Sequence, residues 1–247
     1  MVAVDDATLD VREGETVGLL GESGAGKTTL LEAALGLLPE GTSVVRGSIL
    51  CKGRPLLDLP ARDRRRLLGA EIAFVPQDPA LALNPVRRIG PQVAEVVAAH
   101  RPWKRARCRE EAEGALGSVG LPAALYDAYP HQLSGGQRQR VTIAQALCCR
   151  PALVLADEPT AALDSATQAE LRALLKDLRE RHGVAMLLVS HDAGTLWALA
   201  DRIVVLQAGR TVESGLSAQV LGDRVHPYTR ELLEAVPRPP VTLLHGG

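Results

Sequence analysis

Thr16-Val-Gly-Leu-Leu20-Gly21-Glu22-Ser23-Gly24-Ala25-Gly26-Lys27-Thr28-Thr29 is an apolar run, then a glycine-containing loop, then the start of an apolar helical stretch. Residues Gly21 to Thr28 satisfy G-x-x-x-x-G-K-[ST], the loop that cradles phosphates. A chain of this length meets that pattern by chance about once in a hundred cases, so the strand–loop–helix context carries the reading. Gly21, Gly24 and Gly26 let the backbone approach phosphate oxygens and turn its N–H groups inward. The following helix adds its positive N-terminal end. In such a loop Lys27 holds the β- and γ-phosphates and the Thr28 hydroxyl ligates Mg²⁺, with Glu22, Ser23, Ala25 and Thr29 completing the nucleotide-contacting set. The alternative is a tight strand–helix turn that holds no ligand.

Working outward, apolar runs recur at 72–76, 153–156, 184–189 and 203–206, with helical stretches between them. This alternation predicts an α/β core, and the consecutive apolar positions predict strands covered on both faces. Gly209-Arg210, between 203–207 and 211–214, predicts a terminal hairpin. Over 166–182, Leu171, Leu174, Leu175 and Leu178 form one helical stripe. Between Gln77 and Arg150 the strand pattern disappears, which predicts a mainly helical subdomain with 135–147 as its clearest helix. The expected division is therefore an α/β core from 1–77 and 151–220, a helical insertion at 78–150 and a tail at 221–247. The proline-rich stretch 236–240 reads as extended.

The 247 residues are 46% hydrophobic and 23% charged, with a formal net charge of −1 and only 2% aromatic residues. No global positive field recruits nucleic acid, and Ala, Leu and Val must fill the interior. The cluster 101–109 mixes Trp103 with basic residues, as a nucleic-acid site can, but a solvated helix face is the favoured reading. No apolar run approaches the roughly 18–20 residues needed to span a bilayer. The N-terminal MVAVDDATLD lacks the basic start and long apolar core of a secretory signal. The expectation is a cytoplasmic protein that reaches a membrane only through partners. Cysteines at 51, 108, 148 and 149 show no metal-like pairing, and Cys148-Cys149 reads as buried helix filler.

Leu153-Val-Leu-Ala156 delivers Asp157 and Glu158 to a strand's carboxyl end, where open α/β sheets bind ligands. Beside a phosphate loop, Asp157 would hold Mg²⁺ through its water shell and Glu158 would polarise the attacking water. Alone, such a pair would read as a solvated turn. Leu133-Ser134-Gly135-Gly136-Gln137 offers a hydroxyl and flexible amides at a helix start, a second anion site. The bland reading is a serine N-cap followed by glycines. Gly-Gly in a first turn lowers helical stability, so a purely structural role explains it poorly.

The phosphate loop, Leu133–Gln137 and Leu153–Glu158 together resemble the nucleotide-binding subunit of an ABC transporter, over nearly the whole chain. The resemblance implies a P-loop NTPase core of the ABC ATPase type with an inserted helical subdomain, hydrolysing ATP with Mg²⁺. It implies a head-to-tail dimer in which Ser134, Gly135, Gly136 and Gln137 reach the γ-phosphate of ATP held by the opposite subunit. By the same resemblance Gln77 touches Mg²⁺ and couples core to insertion, His191 contacts the γ-phosphate, and Asp164 crosses the dimer seam. Glu158, His191, Gln77 and Lys27 are the expected catalytic set.

Two further stretches narrow the branch. Tyr129-Pro-His-Gln-Leu-Ser-Gly-Gly-Gln-Arg-Gln-Arg-Val141 is similar to the corresponding region of peptide and nickel importer ATPases, as are Gln77-Asp-Pro with Leu83-Asn84-Pro85, and His226-Pro-Tyr-Thr-Arg230. The implied function is the ATP-hydrolysing subunit of an importer for peptides, nickel or a metal chelate. Its implied partners are membrane-spanning permeases, a second ATPase subunit (identical or not) and, indirectly, a substrate-binding protein, which places it on the inner face of the membrane. Longer members carry a cysteine-rich iron–sulfur segment; no cysteine follows Cys149, so that cofactor is not expected. A phosphonate-lyase-like ATPase and a nucleic-acid-related ABC ATPase are the alternatives. The latter usually carries a coiled-coil insertion or two phosphate loops, neither of which is here. The resemblance also implies an adenine-stacking aromatic upstream, yet no Phe, Tyr or Trp precedes Lys27. Either it lies before the given start, or adenine is held more weakly and less selectively without it.

Overall fold

The computed structural model describes residues 2–161 and 163–234; the stretch 236–240 and Ala162 lie outside them. In chain order the elements are β1 (Thr16–Leu20), α1 (Lys27–Leu35), β2 (Leu50–Cys51), β3 (Arg54–Pro55), α2 (Ala61–Leu67) and β4 (Ile72–Val75). Then come α3 (Ile89–His100), α4 (Arg105–Ser118), α5 (Gly135–Leu147), β5 (Leu153–Asp157), α6 (Ser165–His182) and β6 (Ala185–Val189). The chain continues with α7 (Ala193–Leu199), β7 (Arg202–Gln207), β8 (Arg210–Leu216), α8 (Ser217–Asp223) and α9 (Pro227–Leu232).

One sheet runs in the order β4-β5-β6-β1-β7-β8, with every pair parallel except β7–β8. Side chains alternate across it, and both faces are covered. Val17 and Leu19 of β1, Leu187 and Val189 of β6, and Val204 and Leu206 of β7 pack with Leu31 and Leu35 of α1. Leu20, Met186, Leu188, Ile203 and Val205 point the other way, into a cluster with α5, α6 and α7. Gly18 belongs to that second face because α7 lies on it: a Cβ there would meet Leu196 Cδ2 at 2.8 Å and Ala200 Cβ at 3.2 Å. Each fully buried leucine contributes about 2 kcal/mol, so the two-sided core supplies the stability that scarce aromatics cannot.

Because β1, β4, β5 and β6 are parallel, their carboxyl ends open on one edge. That edge receives Gly21, Gln77, Asp157 with Glu158, and His191. Between β4 and β5 the described residues form only helices and turns. The two cysteines at the end of α5 are buried; Cys148 Sγ lies 3.1 Å from the Gln145 carbonyl, and the bond to Cys149, with burial second, pushes its thiol pKa up.

The large strands fall on the stretches read for them: β1 keeps its bounds, the ends of β4, β5, β6 and β7 move by at most one residue, and only β8 has an end moved by two. The hairpin turn differs from expectation. It is Ala208-Gly209, at φ 46° and 76°, while Arg210 already pairs with Gln207. Positive φ at both central residues matches the right-handed twist of the flanking strands. The two-residue pair β2–β3 has no periodicity to read and was not foreseeable.

Candidate active site

The phosphate loop leaves β1 at Gly21, where a Cβ would lie 2.4 Å from the Leu206 carbonyl oxygen, so only glycine allows β7 this close. Gly24 (φ 83°) and Gly26 (φ 101°) take the left-handed conformation that folds the loop back before α1. Lys27, 7% exposed, turns inward and donates to the carbonyls of Gly21 (2.7 Å) and Glu22 (2.8 Å). Burial pulls its ammonium below the ordinary value, while the carboxylates of Glu158, Asp157 and Glu22 pull it back up. The cation is thus held by backbone carbonyls and faces acidic groups.

Asp157, 6% exposed at the end of β5, accepts a 3.0 Å bond from the Thr28 hydroxyl. Burial raises its pKa above 3.8, with Glu158 adding to the rise and Thr28 and Lys27 opposing it. A hydroxyl and a buried carboxylate short of counter-charge are hard oxygen ligands, and Mg²⁺ takes one or two such groups alongside phosphate oxygens. Thr28 and Asp157 therefore fit that ion.

Glu158 has φ 43°, a left-handed conformation that costs a non-glycine residue about 1–3 kcal/mol. Its N–H donates to the Val189 carbonyl at 2.9 Å, tying the turn to β6. Two residues converge on the side chain: Gln77 Nε2 at 3.2 Å from Oε2, and His191 Nδ1 at 2.8 Å from Oε1. One carboxylate thereby joins the ends of three strands.

Ser134 to Gln137 form a separate group. Ser134 Oγ accepts from the Gln137 N–H (3.2 Å), and Gln137 Oε1 accepts from the Ser134 N–H (2.9 Å), a reciprocal cap on α5. Gly136 faces α6, where a Cβ would lie 2.6 Å from Thr167 Cγ2. Gly136 therefore has a packing reason, contrary to the expectation that structure explains the pair poorly, whereas a Cβ on Gly135 would meet Leu163 Cδ2 at an ordinary 3.7 Å. Asp164 caps α6, accepting from the Thr167 N–H (2.9 Å) and hydroxyl (2.7 Å), bonds that hold its carboxyl below 3.8. Among the described residues no hydrogen bond links Ser134–Gln137 or Asp164 to the phosphate loop. The candidate residues therefore fall into two groups: Gly21–Thr29 with Gln77, Asp157, Glu158 and His191, and Ser134–Gln137 beside Asp164.

Sequence reading missed Asp192, which holds the segment after His191. It accepts from the N–H groups of Gly194 (2.9 Å) and Thr195 (3.0 Å) and from the Thr195 hydroxyl (2.6 Å). Burial pushes its carboxyl upward, but Thr195, Gly194 and Arg172 together outweigh burial and leave it below 3.8. Asp192 next to a strand-end histidine was the available signal.

Residues 4–161 match the family described as ABC transporter. The chain is similar to the oligopeptide transport ATP-binding protein OppD of Salmonella typhimurium, with 42% identity over 240 residues, 96% of this chain and 71% of that protein. It is 40% identical to the dipeptide transport ATP-binding protein DppD of Escherichia coli, over 95% of this chain and 72% of that one. Among solved structures it is similar to a dimeric ATP-binding cassette in a post-hydrolysis state bound to ADP and Pi. That match has a TM-score of 0.77 and 30% identity, and covers 87% of this chain and 90% of that one.

Proposed function

Because this chain belongs to the ABC transporter family and is an ATP hydrolase with that family's P-loop α/β fold, we propose that it powers a peptide importer. The observation that carries the mechanism is the convergence of Gln77 and His191 on Glu158, beside Thr28 and Asp157. The Gly21–Thr29 loop holds the phosphates of ATP, with Lys27 leaving its carbonyl partners for phosphate oxygens. Thr28, and Asp157 through the water shell of the ion, would hold Mg²⁺, with Gln77 reaching the same ion; bound there, Mg²⁺ would supply charge neutralisation at the phosphates. Glu158 orients the attacking water and accepts its proton, and His191 reaches the γ-phosphate. Catalysis is then mainly positioning and charge stabilisation.

The second group serves in trans. Ser134–Gln137 of one subunit closes over ATP on the phosphate loop of the other, with Asp164 at the seam. Each ATP completes an interface, so binding closes the pair and hydrolysis reopens it. Residues 1–77 with 151–220 form the nucleotide-binding core, residues 78–150 carry the motion to permease partners, and 221–247 are a tail. No helix among the described residues is long and apolar enough to cross a membrane, so permease subunits supply the pore and hold the chain at the inner face. A substrate-binding protein delivers the cargo. Peptide is proposed because OppD and DppD are named for oligopeptide and dipeptide transport.

The test is to affinity-purify the chain from its own cells and identify what comes with it, then measure peptide uptake with Glu158→Gln in its place. Multi-span permeases and loss of peptide uptake support the reading. Lyase-type enzymes in the complex, or undiminished uptake, would overturn it.

A further inference from the structure

Tyr228, in α9 and far from the loop in sequence, is the residue whose hydroxyl receives the N–H of Glu22 at 3.1 Å. The carbonyl of that same Gly21–Glu22 peptide, Gly21 O, accepts from Lys27 Nζ at 2.7 Å. One peptide of the phosphate loop is therefore gripped on both sides, by a tail tyrosine and by the phosphate-holding lysine. Tyr228 is itself immobilised, being 7% exposed and packed in the core cluster with Val205, Leu221 and Leu233.

The segment around it is built to hold that position. Glu213 of β8 accepts from the N–H groups of Val225 (3.3 Å) and His226 (3.1 Å). Arg224, 6% exposed, donates to the carbonyls of Leu221 (3.0 Å) and Leu233 (2.7 Å), which joins the ends of α8 and α9. His226 Nδ1 accepts from the Tyr228 N–H at 3.2 Å and caps α9. These bonds restrain the tyrosine from both sides of a six-residue helix.

We propose that Tyr228 is a positioning residue for nucleotide binding, acting through the Glu22 peptide to keep the phosphate loop and Lys27 arranged before ATP arrives. Ordering a loop in advance improves affinity by removing an entropy cost from the binding step. Without the hydroxyl the Gly21–Glu22 peptide keeps only its hold on Lys27, its carbonyl is presented to Lys27 less firmly, and ATP must order the loop as it binds. The inference rests on Gly21–Thr28 being the ATP-phosphate site.

The experiment uses the full chain with Tyr228→Phe, which removes only the hydroxyl and keeps the ring in the core. A lost hydrogen bond of this kind should raise the Kd for ATP, and the KM, by about fivefold. Turnover at saturating ATP should stay within about twofold of the parent, and amide exchange at Glu22 should quicken. Thr229→Val serves as the packing control. It alters a fully buried hydroxyl of the same helix with no partner among the described residues, and should leave ATP affinity unchanged. A fivefold weakening seen in Tyr228→Phe and not in Thr229→Val supports the brace. ATP affinity within twofold of the parent in Tyr228→Phe, or an equal loss in both variants, overturns it. Lys27→Ala separates this from the underlying reading: if it leaves ATP binding intact, the phosphate-site assignment falls and the brace with it.

Discussion

Glu158 and His191, 33 residues apart in sequence, meet with Oε1 and Nδ1 separated by 2.8 Å. The contact exists because β5 and β6 are parallel neighbours with Asp157 opposite Val189, so both strands end at the same level. The strained φ of Glu158 then turns its carboxylate toward the histidine and Gln77.

Glu158→Gln should lower steady-state ATP hydrolysis by at least about a hundredfold, the usual scale for losing a general base. The amide keeps the size and the contacts to Gln77 and His191 but cannot take the water's proton. ATP binding should persist, and ATP should hold the dimer closed. Phosphate release and size-exclusion chromatography with ATP check both halves; undiminished turnover would remove Glu158 from the mechanism.

Ser134→Arg should abolish hydrolysis, because its long stem would project into the opposing nucleotide site and prevent closure. Ser134 also caps α5, so a replacement that cannot cap, such as alanine or arginine, loses about 1 kcal/mol of helix stability. Ser134→Ala isolates that loss. Equal stability with unequal hydrolysis in the two variants is the expected pattern, read by thermal melts and ATPase rates, while Lys27-dependent ATP binding survives in both. If the alanine variant is as inactive as the arginine one with ATP binding intact, the steric account of closure fails.

Gly136→Ala should destabilise the chain by about 1–3 kcal/mol, since the new methyl overlaps Thr167 Cγ2 across the α5–α6 contact. Thr167→Ser removes that methyl and keeps the hydroxyl for Asp164. A double-mutant cycle by urea unfolding should show the serine recovering most of the loss. An additive cycle would mean that the helices do not pack this closely.

Asp157→Asn should raise the melting temperature of the nucleotide-free chain at pH 8 while impairing Mg²⁺-dependent hydrolysis. Burial raises the folded pKa of Asp157 above 3.8, so the folded chain holds the proton more tightly than the unfolded one. Stability contributed by this group is therefore present below 3.8 and lost as pH rises through the folded pKa. The melting difference between the two proteins should shrink on acidification, because protonated aspartate and asparagine are both neutral. A difference constant from pH 8 into the acid range would remove the charge from the explanation.

How much was legible follows from the range of each interaction. β1, the loop and the start of α1 were readable because a run of buried apolar residues and glycines at fixed offsets describe a local path that few other sequences can follow. The ends of β4, β5 and β6 were readable as candidate sites for the same reason: each apolar run stops at a polar residue. Sequence also placed α5 at its observed bounds, since serine, glutamine at the third position and a later apolar stripe are local signals.

Contacts between distant segments were decided only by the tertiary structure. That Gly136 is needed by Thr167, that the hairpin turns at Ala208-Gly209, and that Tyr228 reaches the Glu22 amide depend on helix and strand approaches of a few ångströms. No residue's own identity encodes the partner it meets across the core. The sequence by itself determined which groups could handle phosphate and water, because those chemistries require particular side chains and backbone freedom. The tertiary structure decided which of them share one edge of the sheet and which stand apart, because parallel strand register and two-sided packing set where each chain segment ends.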